Sequence, residues 1–303
     1  MAFTIAHFSD IHITIDPRRV PWRALLSKRL VGWANLRFCG RFAALRDAAE
    51  VTRALVDDVL RLAPDHVLVT GDLTGLALAA EFEAAHRTLR PLLDATLAAE
   101  PPTITGIPGN HDVYVRRALR EGNYRRLFGA WECSERTGSP PIVRILGDDV
   151  ALIALVDSRP AAPYDSSGRV GREQLARLDA LLDDPEIRER RRIVALHYGL
   201  CESDGRPGGR FHGLRDAPQL IDVLRGRVDL VVHGHLHDRF VSRDASSAGV
   251  PIANPGSATD ARHERAYHVI EVERAAIRVL TRRFDAARSQ FVEWPGATGP
   301  REL

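Results

Sequence analysis

Short apolar runs alternate with stretches of helical periodicity along the first third of the chain. Phe3–Phe8 reads as a buried strand, and Ser9-Asp10-Ile11-His12 follows at its end. Over residues 41–62, Leu45, Ala49, Thr52, Leu55, Val56, Val59 and Leu60 recur at helical spacing and predict one helix, which Pro64 stops. Residues 66–70 form a second strand running into Gly71-Asp72. Residues 81–97 are helical in pattern, Pro101-Pro102 breaks them, and strand 103–107 runs into Pro108-Gly109-Asn110-His111-Asp112. That order predicts crossover units, with helices covering a parallel sheet.

The second half repeats the scheme with strands at 150–156, 193–196 and 228–232 and helices at 172–182 and 217–224. After Pro251 the pattern changes to paired antiparallel strands at 267–272 and 276–281, with another at 290–294. We read residues 1–294 as one domain and 295–303, rich in Gly, Pro and charge, as a fraying tail.

Composition removes several classes of protein. With 45% hydrophobic and 27% charged residues among 303, whole-chain disorder is out. The longest purely apolar stretch, residues 150–156, is seven long, far short of a membrane span. The N-terminus lacks the basic and long apolar regions of a secretory signal, so a cytoplasmic location is expected. Three scattered cysteines, Cys39, Cys133 and Cys201, make neither a disulfide framework nor a zinc pattern. The net charge is only +2, and it is uneven. Eight basic residues and no acidic one fall between 17 and 46, so the remainder of the chain is net acidic and long nucleic acid is not an expected partner.

Five clusters able to bind metal stand at the C-terminal ends of predicted strands. They are Asp10/His12, Asp72, Asn110-His111-Asp112, His197 and His235/His237. In open α/β sheets that edge is where ligands collect. Each cluster alone is commonplace, because a lone Asp caps a strand and a lone His usually fills a core; the ordered set is specific. His7, His66, His86, His263 and His268 read as structural, His233 as support for its neighbours, and Asp157 as a loop former.

The set FSDIH, VTGDLT, IPGNHD, LHYG and VHGHLH, spanning residues 3–237, resembles the calcineurin-like metallophosphoesterase superfamily, closest to its bacterial cyclic-nucleotide phosphodiesterases. The resemblance implies a two-sheet β-sandwich flanked by helices, in four α/β/β/α layers. It implies that Asp10, His12 and His237 hold one divalent ion, Asn110, His197 and His235 a second, and that Asp72 bridges them. Oxygen and imidazole donors without thiolate suit Mn²⁺, Fe²⁺/³⁺ or Zn²⁺. A bridging hydroxide would attack phosphorus in line, with His111 donating to the leaving or a phosphoryl oxygen and Asp112 orienting its imidazole. Asn254-Pro255-Gly256-Ser257 resembles a turn that closes the family's second sheet. Tyr198-Gly199 departs from relatives that carry a second His and prolines after the His197 position.

Two segments bear on the substrate. The glycine-rich stretch 199–218 is a candidate lid whose Arg210, His212 or Arg215 would touch phosphate. The basic insert at 17–40 places Trp22, Leu25, Leu26, Leu30, Trp33 and Leu36 largely on one helical face, suited to an anionic membrane surface at the cytoplasmic side, a cap over the metals, or packing on the sandwich or another subunit. A small phosphodiester or nucleotide, including cyclic nucleotides, is the expected substrate. A lipid-linked pyrophosphate of the UDP-2,3-diacylglucosamine type is the alternative, and a non-catalytic scaffold the third reading.

Overall fold

The structure is a computed structural model and describes residues 2–132, 134, 138–242, 249–294 and 301–302. The first half runs β1 (Phe3–Phe8), α1 (Arg29–Phe38), α2 (Arg41–Ala44), α3 (Ala48–Leu62), β2 (His66–Val69), α4 (Ala79–Leu97), β3 (Ile104–Gly106), α5 (Arg116–Glu121) and α6 (Asn123–Phe128). Next come β4 (Ile142–Leu146), β5 (Val150–Ala154), α7 (Arg172–Asp183), α8 (Pro185–Arg188), β6 (Arg191–Ala195), α9 (Ala217–Leu224) and β7 (Leu230–Val232). β8 (Phe240–Ser242), β9 (Ile252–Asn254), β10 (Ala266–Val272), β11 (Ile277–Asp285), β12 (Gln290–Glu293) and β13 (Arg301–Glu302) complete the chain. Cys133 and residues 295–300 and 303 of the expected tail lie outside the described residues.

One sheet has the order β12-β11-β10-β1-β2-β3, with β13 also on β11; the other has the order β4-β5-β6-β7-β9-β8. The predicted parallel arrangement holds for β1, β2 and β3 and for β5, β6, β7 and β9, while the remaining pairs are antiparallel. Each inner strand is covered on both faces, which explains why β5 (VALIA) is buried along its whole length. Leu152 and Ala154 face the other sheet beside Ile5, Leu68 and Ile270, whereas Ala151 and Ile153 face the helical layer that holds Leu178 and Leu220. On the opposite side Phe8, Val67 and Val69 pack under Leu55, Val59, Phe82 and Leu89 of α3 and α4. The result is the four-layer helix–sheet–sheet–helix order expected.

Two helices differ from expectation. The single helix over 41–62 is two, because the chain turns at Leu45–Asp47 and the Asp47 carboxylate pairs with Arg265 at 2.7 and 2.9 Å. The insert is not one amphipathic helix. Pro17 and Pro21 hold its first half in two 3₁₀ turns, at Pro17–Arg19 and Trp22–Ala24, and only α1 is α-helical. Gly40, left-handed at φ 73°, then turns the chain from α1 into α2.

Candidate metal centre

β1, β2, β3, β6 and β7 end at a common edge, and the loops that follow them touch backbone to backbone. The Asp10 amide donates to the Gly71 carbonyl and the His12 amide to the Asp72 carbonyl, both at 3.0 Å. A Cβ on Gly71 would lie 2.2 Å from the Gly109 nitrogen, one on Gly109 2.2 Å from the Asp72 nitrogen, and one on Gly234 1.9 Å from Ser9 Oγ. Glycine precedes Asp72, Asn110 and His235 because nothing larger fits. Asp10, His12, Asp72, His235 and His237 all take positive φ, from 40° to 70°. They are five of the eight non-glycine residues that do so among those described, and such strain persists where surrounding contacts over-determine the backbone.

The imidazoles are aimed from behind. Nδ1 of His12 donates to the Thr74 carbonyl (3.3 Å), Nδ1 of His197 to the Thr70 carbonyl (2.7 Å), and Nε2 of His235 to the His212 carbonyl (2.9 Å). Nδ1 of His237 donates to Asp260 Oδ2 at 3.0 Å. Each outer nitrogen thereby takes a proton, and once a ring is neutral its inner nitrogen presents a lone pair. His12 Nε2 and His237 Nε2 face each other at 2.9 Å, with Asp10 Oδ1 at 3.6 and 3.4 Å. Asn110 Oδ1 lies 3.0 Å from both His197 Nε2 and His235 Nδ1. Asp72 Oδ2 stands 3.8 Å from His12 Nε2 and 3.5 Å from His197 Nε2, between the two groups.

Lone pairs turned toward lone pairs need a cation. Asp10 Oδ1 is buried with no hydrogen-bond partner, so the donor set fits metal rather than a self-satisfied polar cluster. Asp10/His12/His237 and Asp72/His197/His235 each have their ligand atoms within 4.8 Å of one another. Burial lowers His12 to about 4 and His235 to about 3, which keeps both rings neutral and able to bind metal near pH 7. Burial, then the charges of Asp10 and Asp112, push the Asp72 carboxyl well above its usual range. Burial opposes ionisation of Asp10 as well, but the His12 and His237 imidazoles, 3.6 and 3.4 Å from Oδ1, hold its carboxyl well below that range.

Some expected roles change. Asp112 does not touch the His111 ring; its carboxylate accepts from the Leu73, Thr74 and Gly109 amides at 3.0–3.2 Å and clamps two site loops together. His111 instead donates from Nδ1 to the Gly75 carbonyl at 2.6 Å and stacks on Tyr114. Burial and the nearby Arg41 charge lower its pKa well below the usual histidine range. Asp157 accepts from the His197 and Tyr198 amides and shapes that loop.

The cleft above the donors has a volume of about 500 Å³. Asp72, Asn110, His111, His235 and His237 line one side; Lys28, Val31, Gly32 and Asn35 of the insert, with Arg41, line another. Of the three expected phosphate contacts, only His212 lines this cleft, with its Nδ1 2.6 Å from Ser166 Oγ. Arg210 and Arg215 line a separate pocket of about 650 Å³ against α9, and Arg215 pairs with Asp165 at 2.6 Å. Most of the stretch 199–218 therefore does not cover the donors.

Sequence reasoning missed Arg41, which reaches 3.4 Å from His12 Nε2, and Asp260, which orients His237 and is itself gripped by Arg262. His263, read as structural, lines the cleft. For Asp260 a signal existed, since it follows the expected turn at residues 254–257; Arg41 carried none beyond the basic bias of its segment.

A stacked pair of sheets whose strand-end loops gather imidazole and carboxylate donors defines a metal-dependent hydrolase. The family model for the calcineurin-like phosphoesterase matches residues 3–239, and the chain belongs to that family. It is a hydrolase acting on phosphoesters. A relative described as a probable cyclic nucleotide phosphodiesterase, from Pseudoalteromonas sp. (strain SM9913), is 25% identical over 244 residues, covering 78% of this chain and 72% of that protein. The fold is shared with a dimetal phosphatase from Danio rerio, at TM-score 0.63 and 16% identity over 96% of this chain and 98% of that one. A solved structure of PhoD matches at TM-score 0.57 and 12% identity, over 100% of this chain and 71% of that one.

Proposed function

We propose that the chain is a phosphodiesterase that binds two divalent cations and hydrolyses small phosphodiesters, cyclic nucleotides among them. The observation that carries this is the pair of facing donor groups, with Asp72 between them and Asp10 Oδ1 left without a partner. Asp10, His12 and His237 would hold one cation, Asn110, His197 and His235 the other, and Asp72 would serve both. Such a pair supplies acidified water and neutralises the charge that grows on phosphoryl oxygens. The protein's own part is positioning. Asp72 Oδ1 accepts the His111 amide at 2.7 Å, which locks the two central loops in register. Arg41, whose guanidinium lies on the same cleft, would bind a phosphoryl oxygen and orient the diester. The similarity to a cyclic nucleotide phosphodiesterase over most of both chains supports the substrate class.

Turnover of bis(p-nitrophenyl) phosphate and cAMP should appear with Mn²⁺ and vanish on chelation. Absence of metal-dependent turnover on diester, monoester and pyrophosphate substrates would leave the scaffold reading. One observation favours a second substrate, a lipid-linked pyrophosphate of the UDP-2,3-diacylglucosamine type: the cleft wall formed by the insert carries an apolar residue, Val31. Faster turnover of that substrate than of cAMP would shift the assignment.

A further inference from the structure

We propose that residues 17–40 dock on an anionic phospholipid surface, with the mouth of the phosphoester cleft beside the bilayer. α1 divides its circumference into three arcs, as residues 100° apart must. Arg29, Trp33 and Leu36 form the inner arc. Arg29, 2% exposed, donates to the Leu76 and Ala77 carbonyls at 2.8 and 2.6 Å, and Trp33 Nε1 donates to the Pro17 carbonyl at 2.8 Å. Lys28, Val31, Gly32 and Asn35 form the arc that walls the cleft. Leu30 and Phe38 lie on the third arc, which faces solvent, and Val31, exposed at its border, joins it to the cleft arc.

That third arc continues into the preceding turn. Trp22 is 66% exposed, Leu26 76%, Leu30 49%, Val31 54% and Phe38 70%. They are five of the ten large hydrophobic side chains exposed among the described residues, within one short segment. Two more, Tyr164 and Phe211, meet edge to face, and Tyr164 lines the cleft. Exposed apolar side chains concentrated in one short segment mark an interaction site.

Charge selects the occupant. Arg19, Arg23 and Arg37 are exposed, Arg23 over the Trp22 ring and Arg37 over the Phe38 ring, while Arg18 is paired with Asp16 at 2.8 Å; no carboxylate occurs between residues 17 and 46. A second copy of the segment would set cation against cation, whereas anionic headgroups complement it. Tryptophan and leucine flanked by arginine is the composition that settles at the headgroup boundary. Among the described residues no helix is long and apolar enough to cross a membrane, so the contact is peripheral.

The test is co-sedimentation with vesicles of phosphatidylcholine alone and of phosphatidylcholine mixed with phosphatidylglycerol. Binding should require phosphatidylglycerol and weaken in high salt. The pairs Leu26→Ser with Leu30→Ser, and Arg19→Gln with Arg23→Gln, should each weaken it about tenfold or more. None of these side chains lines the cleft, so turnover of bis(p-nitrophenyl) phosphate in solution should be unchanged. Failure to bind, or equal binding to both vesicle types, overturns the proposal. So does a dimer that the leucine pair dissolves, because the rim would then be an interface between copies. Vesicle binding is read without turnover, so its failure is separable from failure of the phosphodiesterase reading.

Discussion

The cleft has two walls built on opposite principles. The inner wall is five loops clamped backbone to backbone, with glycines where no Cβ fits and five donors held in left-handed conformations. The outer wall is α1 and α2, tied to the rest by a few long-range bonds such as Arg29 to the Leu76 and Ala77 carbonyls. One wall sets the position of atoms and the other sets what reaches them. Changes on the first should therefore act on the chemical step and on metal content together, and changes on the second on substrate capture alone.

The strongest form of that contrast is Asp72→Ala. Asp72 stands between both donor groups and fixes the His111 amide, so its loss should lower kcat/KM by about 10³-fold or more, beyond the cost of one oxyanion donor. Metal content by elemental analysis should fall with it, and near-normal rates with both metals retained would refute the bridging role. On the opposite wall, Arg41→Ala should raise KM by about tenfold to a hundredfold through loss of one charged hydrogen bond, with metal content unchanged. Arg41→Lys should recover part of the loss. If Arg41→Ala empties the metal centre instead, α2 belongs to the inner wall and the two walls do not act separately.

The same contrast explains what the sequence made legible. Where residue type is dictated locally, as in Gly71-Asp72, Gly109-Asn110 and Gly234-His235, the tight approach of the backbones leaves few alternatives and the pattern can be read directly. Strand ends were equally legible, because both faces of the inner strands are covered and their apolar runs are continuous. Long-range partners were not. Asp260 reaches His237 from beyond β9, and Asp47 breaks a predicted helix because Arg265, far away in sequence, pairs with its carboxylate. Arg210 and Arg215 show the limit in reverse: a basic, glycine-rich loop suggests a lid, but Arg215 is already paired with Asp165 and both line a different pocket. Charge in a sequence does not say which charges are already paired.

The smallest effect concerns the segment at which the walls meet. Residues 73–78 supply the Thr74 carbonyl to His12, the Gly75 carbonyl to His111, and the two carbonyls that hold Arg29. Glu81 fixes that segment from beneath, Oε2 accepting the Leu76 amide at 2.8 Å and the Leu78 amide at 3.2 Å. Burial raises its pKa from the ordinary 4.5 to about 7, against the opposing pull of those amides and of Arg29. Because the folded state holds this proton more tightly than the unfolded chain, the contribution is fully present below pH 4.5 and is lost as pH rises through about 7. Between those limits it should weaken folding by up to about 3 kcal/mol. Glu81→Gln keeps an acceptor for the amides but cannot ionise, so urea unfolding across this range should show a shallower decline for the variant. Parallel wild-type and variant profiles would mean that the ionised carboxylate is fully satisfied by its amides, and that the junction of the two walls carries no pH-dependent weakness.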